Sequence, residues 1–464
     1  MKNIVCRSIA VLFLFFAHGA LSAPVLHSIS AGWIEILHPW SVDTNLAQAN
    51  LLLGTYNFQV GPVNRADYSV RIGAGFESVY DVERGVLMTC VAENGRDNFG
   101  TNAYPTSCFT LNGGGSYRIV TAVANLGEYN VNVAAAWFPY TNYLGAYAYN
   151  SGATNGGANN SLIASPGLVL GTHFKTVGGG KFVVDLRSFG IDSRTDGILL
   201  VNHAKEEANF ALSQANTNDG TWNVFVRDIA QTDFNSYEQD PVAFVFIPKT
   251  NTMVVSGKFL ADGTISMHSG DSPQFSVTSL GTGRWGLQIT GGSPTNGVLI
   301  ISPEGGGSIN ADNIVNCEPV GSGWEIESRD TPANGLQTPT GEPIVSFVYV
   351  PAATPGVTLS RTNNLTTSGP GTTTSFDVML HSRPASDVTI PLSSTDPGKG
   401  IPVSASVKVT PATWHLPNTV TVAGQNDPPT PTNATFSILL SPTVSSDAGY
   451  NGIDPADVAV AFVP

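Results

Sequence analysis

Apolar and polar positions alternate through most of this chain in bursts of strand length. The segments 182–186 (FVVDL), 222–226 (WNVFV) and 285–289 (WGLQI) are rich in β-branched and aromatic residues, which suit a pleated, half-buried surface. Longer apolar runs, ILLV at 198–201, AFVFI at 243–247 and SFVYV at 346–350, predict strands covered on both faces. Between the runs, Asp196-Gly197, Asp219-Gly220, Asp262-Gly263 and Asn296-Gly297 predict tight turns. Only 43–53 (DTNLAQANLLL) reads as a short helix.

The pattern repeats. Residues 84–91 (RGVLMTCV), 196–203 (DGILLVNH) and 296–303 (NGVLIISP) are versions of one strand. Each is followed by an aromatic-led strand, at Tyr117, Trp222 and Trp324, and then by an apolar run ending in or near proline at 134–140, 242–248 and 345–351. The aromatic positions are spaced about 105 and 102 residues apart, the size of a duplicated domain and well above a solenoid repeat of roughly 20–50 residues. The expected organisation is a segment 1–23, a lead-in at 24–54, β modules at 55–145, 165–250 and 251–353, a Gly/Asn-rich linker at 146–164, and a final domain at 354–464. Many short strands with frequent turns make the fold class all-β, as tandem β-sandwich modules.

Composition adds an address. Lys2 and Arg7 flank an apolar segment at 9–17 that leads to small residues at Gly19, Ala20, Ser22 and Ala23, the layout of a secretory signal peptide. That run falls short of the ~20 residues a spanning helix needs, and no later segment is long and apolar enough to cross a membrane. Removing the signal with Lys2 and Arg7 leaves 19 basic against 35 acidic residues, a net charge of −16. This disfavours nucleic acid and anionic membrane as partners, since both need a basic face. The expected location is secreted or at the cell surface. There Cys90 and Cys108, on either side of a turn-rich loop, are expected to form a disulfide. Cys317 is left as a small buried apolar residue or a site for an intermolecular bridge.

Past 351–355 (PAATP) the chain changes character. The segments 355–359, 375–380 with 387–394, 409–414 with 417–424, and 450–458 (YNGIDPADV) resemble the Calx-beta-like, immunoglobulin-fold repeats of bacterial extracellular proteins, over about 110 residues. The resemblance implies a C-terminal immunoglobulin-like sandwich and makes calcium a possible ligand. Calcium takes six to eight hard oxygens, for which Asp427, Asp454 and Asp457 are the candidates, although prolines interrupt the loop around Asp427. Residues 55–353, notably NFALSQANTNDGTWNVFVRD and YEQDPVAFVFIP, resemble uncharacterised repeated modules of secreted bacterial proteins. No activity comes with that resemblance.

The remaining chemistry is sparse. Asn followed by an apolar residue recurs as Asn98-Phe99, Asn209-Phe210 and Asn313-Ile314, which fits either turn closure or ligand contact. His203 with Glu206 and Glu207 has metal-ligand residue types, yet the other two copies hold no matching histidine. A Gly-Asp-Ser triplet at 270–272 lacks the Asp-x-x-His of the lipase-like family that carries it. No Gly-x-Ser-x-Gly elbow, His-Glu-x-x-His or phosphate-cradling loop is present. The reading is a non-catalytic adhesion or matrix protein of the cell surface, with extracellular polysaccharide or cell-surface components as partners. Trp40, Tyr143 and Tyr147 are the candidate sugar-stacking residues, and Trp222 and Trp324 are expected in the core. Two alternatives stay open: a secreted carbohydrate-active hydrolase using paired carboxylates such as Glu238 and Asp240, and a purely structural spacer.

Overall fold

The computed structural model describes residues 29–464 apart from 38–47, 55–57, 65–66, 73–83, 94–105, 111–116, 124–126, 129–130, 150–160, 206–208, 229–236, 306–312, 331–334, 340–342, 353, 415, 427–428 and 430–431. The expected signal segment lies outside these residues. Three successive stretches fold alike. The first holds β1 (Ser30–Leu37), β2 (Gln48–Gly54), β3 (Phe58–Asn64), β4 (Asp67–Ile72), β5 (Gly85–Val91), β6 (Thr106–Thr110), β7 (Tyr117–Val123), a short β8 (Gly127–Glu128) paired with β7, and β9 (Val133–Pro139). The second holds β10 (Leu144–Tyr149), β11 (Ser161–Ala164), β12 (Phe174–Gly178), β13 (Lys181–Val184), β14 (Gly197–His203), β15 (Phe210–Ala215), β16 (Trp222–Arg227) and β17 (Val242–Pro248). The third holds β18 (Val255–Leu260), β19 (Ile265–His268), β20 (Phe275–Gly281), β21 (Arg284–Ile289), β22 (Gly297–Pro303), β23 (Asn313–Val320), β24 (Gly323–Asp330) and β25 (Pro343–Pro351).

In every copy one sheet takes the same strand order: β2-β1-β9-β5, β11-β10-β17-β14 and β19-β18-β25-β22. The other sheet follows suit as β3-β4-β7-β6, β12-β13-β16-β15 and β20-β21-β24-β23. In the second copy Phe174, Phe182 and Trp222 of one sheet meet Leu199, Phe244 and Phe246 of the other in a closed apolar core. Phe174 stacks on Phe244 with ring centres 5.9 Å apart, and Trp222 tilts against Phe246 at 5.6 Å.

The glycine that opens each repeated strand has a packing reason. Gly85, Gly197 and Gly297 pair in register with Pro139, Pro248 and Pro351. A Cβ at these positions would collide with the Trp137 ring, with the Ile247 carbonyl and Phe246 ring, and with the Tyr349 ring, respectively. The repeated glycine is therefore the floor on which the aromatic of the adjacent strand lies.

The copies close on one another head to tail. Strand β5 packs on β10 and β17, β14 on β18 and β25, and β22 on β1 and β9. Likewise β6 lies against β14, β15 against β22, and β23 against β5. Parallel bridges between Ser107 and His203 and between Ser213 and Glu304 join the first two of these contacts. The result is a ring of three copies in cyclic order. Continuous chain connects the first copy to the second and the second to the third, whereas the third meets the first by packing.

This closure meets a backbone requirement. Strands β5 and β22 end their sheets, and β14 is bridged to β6 only at His203, so backbone groups along these edges need partners from elsewhere. Neighbouring copies supply them as side chains. The Tyr147 hydroxyl bonds both the N–H and the carbonyl of Leu87, at 3.0 and 3.4 Å. The Asn202 amide accepts from the Thr89 N–H and donates to its carbonyl, each at 2.9 Å. The Ser302 hydroxyl does the same for Val201, at 3.0 and 3.2 Å. Asn202 and Ser302 hold the same position in their strands, and the matching residue of β5 is Cys90, whose thiol donates to the Leu299 carbonyl at 3.5 Å.

Several expectations are corrected here. The lead-in at 24–54 contains β1 and β2, so the first copy begins near Ser30. The stretch read as a helix, 43–53, includes most of β2, which pairs antiparallel with β1 from Gly32–Gly54 to Leu37–Gln48. Pairing has overridden a weak local preference. The expected linker at 146–164 holds most of β10 and all of β11, the first two strands of the second copy. Among the described residues the one helical piece is a 3-10 turn at Arg187–Phe189.

The final unit also has two sheets over one core. Val357–Leu359, Thr373–Leu380, Asn418–Gly424 and Gly400–Pro402 make one; Leu365–Thr367, Val458–Phe462, Ala434–Leu440, Val388–Ser394 and Ser406–Val409 make the other. Phe376, Val422, Ile390, Phe436, Ile438 and Val460 lie between them.

Candidate functional site

Two polar constellations stand out, one at each end of the second copy. The first arises because β14 and β17 pair with His203 opposite Val242, which brings the residues after β14 beside those before β17. His203 Nε2 lies 3.0 Å from Asp240 Oδ2 and Lys205 Nζ lies 3.0 Å from Asp240 Oδ1. The Asn209 amide donates to both Glu238 (2.8 Å) and Asp240 (3.2 Å). Burial pushes the Asp240 carboxyl up, but hydrogen bonds and charge from His203 and Lys205 outweigh it and hold the pKa at about 2. Glu238 and Asp240 thus converge, as a glycosidase pair would. Such a pair, however, needs one carboxyl that keeps its proton and a second, ionised one whose oxygens can reach substrate or water. Both Asp240 oxygens are already occupied, by His203 and by Lys205.

The same depressed pKa gives a pH prediction. A carboxylate that ionises more readily when folded adds stability above its unfolded pKa, near 4, and loses it as pH falls through about 2. The wild type should lose roughly 2 kcal/mol more than Asp240→Asn between pH 5 and pH 2, a difference set by the size of the shift. Urea unfolding of both proteins at the two pH values checks this, and parallel curves would refute it.

At the opposite end lies a cleft of about 420 Å³ lined by Asn142, Tyr143, Ile191, Asp196, Lys249 and Thr250 among others. Its volume falls within the range of small-ligand sites, roughly 300–1,000 Å³. Lys249 and Thr250 are exposed, and the Lys249 N–H donates to the Asp196 carbonyl at 2.9 Å, which fixes the rim. Tyr143 forms part of the wall, with its hydroxyl accepting from Asn251 Nδ2 at 2.8 Å and its ring edge-on to Phe138 at 5.2 Å. Burial pushes its pKa up, partly offset by the Asn251 hydrogen bond.

The sequence-predicted residues do not gather at one site. Tyr143 and Tyr147 were expected to be exposed and are 6% and 1% accessible, because the segment they occupy packs as sheet and turn and not as linker. Asn209 belongs to the His203–Asp240 cluster, while Asn313 is buried and donates to Ser328 Oγ at 2.9 Å. Trp40, Asn98, Glu206, Glu207 and Asp427 lie outside the described residues. Asp454 is exposed, and Asp457 accepts the Leu440 N–H at 3.0 Å. Among the described residues no three His, Cys, Asp or Glu side chains come together as metal ligands. Trp222 and Trp324 are in the core, as expected.

The expected Cys90–Cys108 disulfide is also corrected, since the buried Cys90 thiol is turned to the Leu299 carbonyl of the third copy and away from β6. Successive residues of a strand face opposite ways. Thr89, not Cys90, faces β6, with its hydroxyl 3.3 Å from that of Thr106. Sequence reasoning missed the cleft residues Asp196, Lys249 and Thr250, whose only signals are the Asp-Gly turn and the proline ending β17. Compared with known proteins, the chain matches no protein-family model and no curated protein sequence.

Proposed function

We propose that this is a non-catalytic extracellular protein of the adhesion or matrix type, a rigid three-copy ring that presents the cleft of its second copy to a short stretch of polysaccharide. The observation that carries this reading is the capping of edge strands at two of the three junctions by Tyr147, Asn202 and Ser302. Polar side chains are committed there to locking copies together. Asp240, with both oxygens engaged by His203 and Lys205, weighs against the hydrolase alternative. The final unit is read as a Calx-beta-like, immunoglobulin-like domain. The parallel pairing of Leu365–Thr367 with the last strand, alongside antiparallel pairing of Val357–Leu359 in the opposite sheet, supports a first strand split between two sheets.

The test is titration of the full-length protein against a panel of neutral and acidic polysaccharides, alongside Thr250→Trp, which fills the cleft from an exposed position. Saturable binding that weakens at least tenfold in Thr250→Trp, with an unchanged melting temperature, is expected. Equal binding by both proteins would remove the cleft from the proposal. Absence of binding across the panel would leave the spacer reading, and release of reducing ends would overturn the non-catalytic one.

A further inference from the structure

The free thiols among the described residues, Cys90 on β5 and Cys317 on β23, are both buried, and they belong to the first and third copies. They meet at the one junction of the ring that the chain itself does not bridge. The Cys317 thiol lies 3.7 Å from the carbonyl of Val91, the residue next to Cys90. The Cys90 thiol in turn lies 3.5 Å from the carbonyl of Leu299, on the strand preceding β23 in the third copy.

The repeat gives the same placement independently. Cys317 pairs with Ile326 just as Ser213 pairs with Val224, each two residues beyond the aromatic that opens its strand. The Ser213 hydroxyl donates to the Leu199 carbonyl at 3.1 Å, and Leu199 is the counterpart of Leu299. The two cysteines therefore fill adjoining parts of one interface. The interaction with Cys90, followed by burial, pushes the Cys317 pKa well up.

We propose that Cys90 and Cys317 form a disulfide that closes the three-copy ring covalently. The reaction is thiol–disulfide exchange with a disulfide-bearing oxidant. One cysteine thiolate attacks the oxidant and releases one of its thiols. The second cysteine thiolate then attacks the protein sulfur of the mixed disulfide and releases the other. The two protein thiols give up two protons and two electrons, and the oxidant disulfide becomes two thiols. Both thiols are buried in the closed ring and out of reach of an oxidant, so the bond forms while the third copy is still undocked. The proposal goes beyond the adhesion reading and shares with it only the exported, oxidising setting in which such bonds persist.

The test reads the bond by mass and needs no ligand. Full-length protein is purified from an oxidising expression host, and a second sample is reduced, unfolded and refolded in a mixture of reduced and oxidised glutathione. Both are alkylated and mapped without reduction. The expected result is a linked peptide pair containing Cys90 and Cys317, with Cys108 alkylated. Cys108→Ser should keep the link, while Cys90→Ser and Cys317→Ser should each abolish it and lower the urea midpoint by the same amount as reduction does. Native protein in its reduced form should resist alkylation at both positions. A Cys90–Cys108 link, or alkylated Cys90 and Cys317 in both oxidised samples, would overturn the proposal whatever the polysaccharide titration gives.

Discussion

Asn202→Leu is expected to destabilise the protein by roughly 2–6 kcal/mol, because it strands two buried backbone groups at roughly 1–3 kcal/mol each. Asn202 is 5% exposed, and its amide serves both the N–H and the carbonyl of Thr89 on the outer edge of β5. Leucine matches its size and offers neither a donor nor an acceptor. Water has no ready access to the seam, since all of β5 is buried. Asn202→Ser should cost clearly less, because Ser302 performs the same task for Val201 with a hydroxyl. Urea unfolding measures the loss, and amide exchange at Thr89 localises it. A leucine variant within 0.5 kcal/mol of wild type would mean that the seam does not depend on this capping.

That capping explains why the ring was illegible in the sequence while its parts were not. The strands read correctly as covered on both faces, ILLV, AFVFI and SFVYV, are β14, β17 and β25, which sit between a copy's own core and its neighbours. Their apolar character is forced from two sides, so it repeats clearly. The sequences of β1 to β4 diverge from their counterparts in the other copies, which is why the sequence places the start of the first copy near residue 55 and not at Ser30. The position that links copies is filled by Cys90, Asn202 and Ser302 in turn. Three different side chains at one position, of which Asn202 and Ser302 cap the neighbouring strand and Cys90 bonds only the Leu299 carbonyl, leave no repeat to see.

The site was legible to a smaller degree, for a related reason. Glu238 and Asp240 were picked out as a pair and do converge, but their partners His203, Lys205 and Asn209 come from a distant stretch of chain. Only the pairing of β14 with β17 brings them together, and those partners occupy both oxygens of Asp240. Cys90 was matched with Cys108 by nearness in the chain, whereas the cyclic order of the copies places it beside Cys317.

Arg329→Met is expected to cost about 3–5 kcal/mol, the usual penalty for leaving one charge of a buried pair uncompensated. Arg329 and Glu327 are 1% and 0% exposed, two residues apart on the same face of β24. The guanidinium bonds Glu327 Oε2 through Nε at 3.1 Å and Nη2 at 2.7 Å, a fork that lysine cannot reproduce. The neighbouring Arg284, 3.8 Å from Glu327, is already committed to Glu325 at 2.7 Å. The double variant Glu327→Leu/Arg329→Met removes both charges and should recover most of the loss, because well-packed apolar residues replace a buried ion pair at little cost. Urea unfolding of the two single variants and the double one measures the coupling. If the double variant were as unstable as Arg329→Met alone, the loss would come from the packing of the arginine stem and not from an orphaned carboxylate.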